Sequence, residues 1–173
     1  MTGAETLAAN ALRCGALASG LLALTAIGVT VTGTGPQARA WLSFDFGGVS
    51  RDPSQVATIA VHNAKFAAAT LAAAVAVPRL GALRVATDVI LGSLLVLNAC
   101  VIGFALGAYG SRIGHALAPH VPLEFGALSL AGGAYLTATH QSLTGRQLAA
   151  TGAGCVSMLV AAAVIETYLS PTS

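Results

Sequence analysis

The sequence predicts an all-α fold, a polytopic membrane helical bundle of about five transmembrane helices forming a single domain over residues 1–173. Composition gives the first reason. Residues are 55% hydrophobic and only 8% charged, with a mean hydropathy of +0.80, a balance that a water-exposed surface does not tolerate. The second is spacing. Five apolar segments, at about 14–33, 56–77, 85–109, 120–140 and 147–169, each come near the ~20 residues that cross a hydrocarbon core. The third is what lies between them, since glycine, proline or charge interrupts the chain at every boundary.

The first segment follows a polar start carrying Glu5, Asn10 and Arg13 and stops at Thr32-Gly33-Thr34-Gly35-Pro36. Ala38-Arg39-Ala40 has the small-x-small form of a signal-peptidase site. The apolar run before it, Cys14 to Val31, exceeds the ~7–15 residues of a signal core, so a retained helix is expected. The 34–55 connection sets Trp41, Phe44 and Phe46 beside Arg39, Asp45, Arg51 and Asp52. Aromatic and charged residues together suit a membrane interface, so an interfacial helix and a plain loop are equal expectations there.

The second segment holds His62, Asn63 and Lys65 in its first part and is purely apolar from Phe66 to Val77. After Pro78-Arg79-Leu80-Gly81, Arg84 and Asp88 open the third segment at ion-pair spacing on a helix. Asn98 lies near its middle. Gly103 and Gly107 then form a small-xxx-small pattern that lets another helix approach closely, within the chain or between chains. Tyr109 to Ala118 reads as a short polar connection. Pro119-His120-Val121-Pro122-Leu123-Glu124 opens the fourth segment, where prolines start a helix cheaply and His120 and Glu124 share one face. The fifth follows the turn Thr144-Gly145-Arg146 and ends in Glu166-Thr167-Tyr168.

Alternating spans put the start of the second, the end of the third, the start of the fourth and the end of the fifth on one side. His62, Asn63, Lys65, His120, Glu124 and Glu166 then share one leaflet, with Asn98 deeper. With the N-terminus cytoplasmic, Arg13, Arg79, Arg84 and Arg146 face inward and Arg39, Arg51 and Arg112 outward. This predicts a multi-pass arrangement with the C-terminus outside and the polar cluster facing out.

Several classes of function are excluded. The net charge of +2 comes without a basic run, so nucleic acid is not an expected partner. No P-loop, dinucleotide glycine pattern or nucleophile elbow is present. Cys14, Cys100 and Cys155 are far apart in apolar segments and read as packing residues.

Ionisable residues inside a membrane are expensive, which makes the polar cluster the candidate site. His120, Glu124, Glu166 and Lys65 are the candidate catalytic groups, because desolvated His and Glu become acid/base groups poised near neutrality. His62, Asn63 and Asn98 are the candidate substrate contacts, the asparagines reading as well as glue between helices. No cofactor and no metal is expected, since zinc takes three or four ligands and no His-Glu-x-x-His or Cys pair occurs. His62, His120 and Glu124 are the set from which one would be assembled.

Taken together, Pro119-His120 with Glu124, the closing stretch Ile165-Glu166-Thr167-Tyr168-Leu169-Ser170-Pro171, His62-Asn63 and Asn98 resemble the stage II sporulation protein M-like family of bacterial membrane proteins, over residues 56–171. Val121 and Ala99 stand where that family usually carries glycine, which marks a divergent member, and the alanine and arginine usage resembles that of high-GC actinobacteria. The resemblance implies a cofactor-free helical bundle acting as an accessory subunit in the maturation, export or immunity of a bacteriocin-type (RiPP) peptide. Implied partners are the lipid bilayer, a peptide client, and a second membrane subunit or separate ABC ATPase. Two alternatives stay open: a membrane-embedded acid/base enzyme acting on a peptide, as epimerase or protease, and a scaffold for cell-wall remodelling enzymes.

Overall fold

The computed structural model describes residues 3–43, 52–79 and 81–169, which are helical apart from short connections and contain no strand. Seven α-helices follow in order: α1 (Gly3–Thr32), α2 (Gly35–Leu42), α3 (Pro53–Ala76), α4 (Leu83–Tyr109), α5 (Ser111–Leu117), α6 (Val121–Ala138) and α7 (Gly145–Leu169). A single 3-10 turn, Val77–Arg79, follows α3.

Local chemistry sets the helix ends. The Asp52 carboxylate accepts a hydrogen bond from Ser54 N at 2.9 Å, and Pro53 begins α3 where no N–H is needed. At α7, Thr144 Oγ1 accepts from Gln147 N at 3.2 Å while Gln147 Oε1 accepts from Thr144 N at 2.9 Å. This capping box satisfies two amides at once. Gly110, at φ +60, turns the chain from α4 directly into α5.

α1, α3, α4 and α7 are each long and apolar enough to cross a bilayer, yet only 17–28% of their apolar windows is buried inside the bundle. Leu12, Leu24, Val31, Val85, Val89 and Leu97 all point outward. Such a surface belongs in lipid, and the chain is a multi-pass membrane-embedded helical bundle.

The segment expected as the fourth span, 120–140, is α6, and it differs from the other four. Its 18 residues reach about 27 Å at 1.5 Å per residue, the shortest of the five, and it carries Pro122 and Glu124 in its first turn. It packs against α1, α3 and α7, so protein rather than lipid surrounds much of it. Ala127, Ala131 and Ala134 are fully buried. A core of Ala67, Ala127, Ala131, Cys155 and Leu159 joins α3, α6 and α7, with side chains small enough to bring the backbones close.

α4 stands on the other side of α1 and is joined to it through the Gly103/Gly107 seam. A Cβ on Gly103 would lie 2.5 Å from the Leu22 carbonyl oxygen, and one on Gly107 2.7 Å from that of Ala26. The expected close helix contact is therefore made within the chain. Near the start of α4, Arg84 and Asp88 form the expected ion pair at 3.9 Å, and Asp88 also accepts a 2.6 Å hydrogen bond from Tyr135 Oη on α6.

One connection differs from the sequence reading, and in another a helix, one of its two expectations, is found. The stretch expected as a polar connection, 109–118, contains α5, which buries Ile113 completely, so His115 lies in a helix and not a loop. In the 34–55 connection α2 is a helix with Trp41 exposed, tied to α4 by Arg39 Nη1 donating to the Ala108 carbonyl at 2.6 Å. Phe44, Asp45, Phe46 and Arg51 lie outside the described residues.

Candidate functional site

The polar cluster forms where the first half of α3 meets the start of α6 and the end of α7. Asn63 is the eleventh residue of α3 and Glu124 the fourth of α6, so α3 extends well past the start of α6. The helix offset matters. It leaves the polar side chains facing a recess in the bundle instead of lipid.

His120 occupies the N-cap of α6, its carbonyl accepting from Leu123 N at 3.0 Å and Glu124 N at 3.2 Å. Its side chain makes no capping hydrogen bond. The residue is 6% exposed, and its Nδ1 is buried without a hydrogen-bond partner among the described residues. A buried polar atom left in this way costs free energy and calls for an explanation. Glu124, in the first turn of α6, sits where the helix dipole favours negative charge, and it accepts a short hydrogen bond from Asn63 Nδ2. Glu166 reaches in from α7, three residues before that helix ends. One ligand-type atom each from His120, Glu124 and Glu166 lie within 4.8 Å of one another.

Two neighbouring cavities share His62, Asn63 and Glu124 in their walls. One, of about 360 Å³, is lined by Thr58, Ile59, His120 and Glu166 besides those three. The other, of about 300 Å³, runs deeper, past Lys65 and Phe66 to Asn98, Ile102 and Phe125. All seven sequence-predicted site residues therefore line one cavity or the other. They do not play equal parts. His120, Glu124 and Glu166 form the tight group, and Asn63 holds Glu124. His62 and Lys65 are exposed. Asn98 donates from Nδ2 to the Leu94 carbonyl of its own helix at 2.9 Å, so that nitrogen bridges no helices.

Besides Asn63, which links α3 to α6, Asn10 bridges helices: it is buried and donates to Thr137 Oγ1 on α6 at 3.2 Å. The sequence reading placed Asn10 merely in a polar start. Thr58 was also missed. It stands one turn before His62 on α3, and that i, i+4 spacing was the signal. His140, at the far end of α6, lines a separate cavity with Arg84, Asp88 and Tyr135.

The group has one imidazole and two carboxylates, half-buried or buried, next to a space large enough for a side chain or small polar group. It defines a class of site able to bind a cation, exchange protons or hold a metal ion. No family model, curated protein or solved structure matches this chain.

Proposed function

We propose that the chain is a sporulation protein M-like protein of the bacterial cytoplasmic membrane that receives a peptide client at the polar end of its bundle. It acts as an accessory subunit in the maturation, export or immunity of a bacteriocin-type peptide. One observation carries the reading: side chains from α3, α4, α6 and α7 converge on adjoining cavities at one end of a bundle whose surface is otherwise largely apolar. Polar groups are costly in a membrane, and gathering seven of them around a recess suits recognition of a polar segment. Carboxylates and amides at this site favour a basic or hydrogen-bonding segment of the peptide. Since the sequence carries no phosphate-binding loop, any ATP-driven export requires a separate ABC ATPase.

The second reading is an acid/base enzyme acting on the peptide. The closeness of His120, Glu124 and Glu166 favours it, because a proton donor and a proton acceptor then stand on one substrate. In either reading the N-terminus is cytoplasmic and the site opens outward.

The test co-expresses wild type or His120→Ala with the peptide encoded nearest the gene and compares the peptide's mass, chirality and location. Cellular retention, export or self-protection that depends on His120, with the peptide unmodified, supports the accessory role. Cleavage or inversion of a residue that depends on His120 supports the enzyme. A peptide identical in all three respects with either chain, or with none, overturns the peptide reading.

A further inference from the structure

We propose that His120, Glu124 and Glu166 form a three-ligand site for a divalent transition-metal ion of the zinc class. The inference replaces the sequence expectation of no metal, and its ligand set takes Glu166 where His62 was the sequence candidate. It stands on the geometry of the group and does not depend on a peptide client.

Donor spacing is the first argument. An ion with bonds of about 2.0–2.1 Å in a tetrahedral shell holds its donors about 3.3 Å apart. The three donor atoms already lie within 4.8 Å of one another, so modest side-chain rotation closes the shell. Glu166 has a long side chain able to make that adjustment, while Asn63 holds Glu124.

The second argument is His120. Its side chain is 6% exposed and lines the 360 Å³ cavity with both glutamates, and its Nδ1 has no hydrogen-bond partner among the described residues. A ring nitrogen of His120 lies within 4.8 Å of a carboxylate oxygen of each glutamate, and an imidazole nitrogen without a hydrogen-bond partner offers a lone pair that a metal ion takes up.

Charge is the third. Two carboxylates this close repel strongly unless a proton or cation sits between them. No lysine or arginine is among the described residues lining that cavity, and Lys65 lines the neighbouring one. A dication balances both carboxylates at once. Asn63, donating to Glu124 Oε1, fixes that carboxylate and leaves Oε2 for the ion, the outer support that ligating carboxylates require. One nitrogen and two oxygens, without thiolate, suit zinc, cobalt or manganese over copper(I). Three protein ligands leave a fourth position on the cavity side, toward His62 and Thr58, for an exchangeable ligand.

The experiment uses the full chain in detergent, purified through a tag without histidine, stripped with EDTA and titrated with zinc. Wild type is expected to retain close to one zinc per chain after gel filtration, and its Tm to rise on zinc addition. With cobalt, the visible spectrum should be that of a four-coordinate nitrogen/oxygen site. Glu166→Gln and His120→Ala should retain less than a tenth of the zinc and lose the Tm rise. Glu166→Asp, which keeps the charge on a shorter arm, should bind at least tenfold more weakly. Tyr135→Phe, at the other end of α6, should bind as wild type does. Absence of saturable binding by stripped wild type overturns the proposal, as does unchanged affinity in both Glu166 variants. Because the readout is metal content, a peptide assay that fails while zinc binds removes the peptide reading alone.

Discussion

Replacing Gly103 with alanine tests whether the α1–α4 seam holds the wall of the site. The new Cβ would stand 2.5 Å from the Leu22 carbonyl oxygen and 2.8 Å from Thr25 Cβ. Taking about 3.3 Å as a close carbon–oxygen contact, the two backbones must part by about 0.8 Å. Overpacking of this kind costs about 1–3 kcal/mol, and the better helix propensity of alanine returns about 0.5–1 kcal/mol of it. Against wild type this leaves a loss of about 0–2.5 kcal/mol, and against a glycine where alanine brings the propensity gain alone, the full cost of about 1–3 kcal/mol. Gly92→Ala is the matched control, because nothing lies within 4 Å of a Cβ there and the propensity gain stands alone. Unfolding by SDS in mixed micelles, followed by circular dichroism, measures the difference. The single tryptophan gives a second readout. Trp41 on α2 sits 6.4 Å from the Phe104 ring, next to the substituted position, so parting the seam should shift its emission. The displacement also moves Ile102 and Asn98, which line the deeper cavity. If Gly103→Ala is as stable as Gly92→Ala and the Trp41 emission is unchanged, the seam does not hold α4 as described.

Three further outcomes are expected. Thr137→Val strands the buried amide of Asn10 and should cost about 1–2 kcal/mol in the same unfolding assay; a loss below about 0.3 kcal/mol argues against the bridge. Tyr135→Phe removes the hydrogen bond to Asp88 and should cost about 0.5–1.5 kcal/mol while leaving peptide handling at wild-type level, which a co-expression assay checks. Glu124→Gln and Glu166→Gln should each reduce peptide handling at least tenfold with Tm within a few degrees of wild type. The double variant should lose little more than either single one, because groups in one cluster are not additive. Multiplied losses would separate the two carboxylates.

The helical class was legible because lipid imposes a length and a composition that survive in a linear string. The polar end was legible for a related reason: spans alternate in direction, so residues near successive helix ends can be assigned to a leaflet from order alone. His62, Asn63, His120, Glu124 and Glu166 were gathered that way. Neighbour relations were not legible. Nothing in the string says that α6 is flanked by α1, α3 and α7, and so nothing marked Asn10 as the partner of Thr137. The sequence reading had Glu166 with His120 and Glu124 as a candidate catalytic group, and only its metal set took His62 in place of Glu166. Asn98 misled because an amide in an apolar run reads as interhelical glue, while its own helix supplied an acceptor one turn back. α5 was hidden by glycines and by charged or polar residues, and only Ile113 carries its buried contact.

The central position of α6 has a consequence for how the protein is made. Helices leave the ribosome in chain order, so α1 and α3 already lie in the bilayer when α6 emerges. The ionisable Glu124 in its first turn is costly in lipid alone, yet α6 enters next to two helices that pack against it. The His120–Glu124 pair then waits for α7, because Glu166 completes the group from the far end of that helix. Insertion and site assembly are thus one ordered process, in which α6 arrives after two of the three helices that flank it and α7 closes the site last.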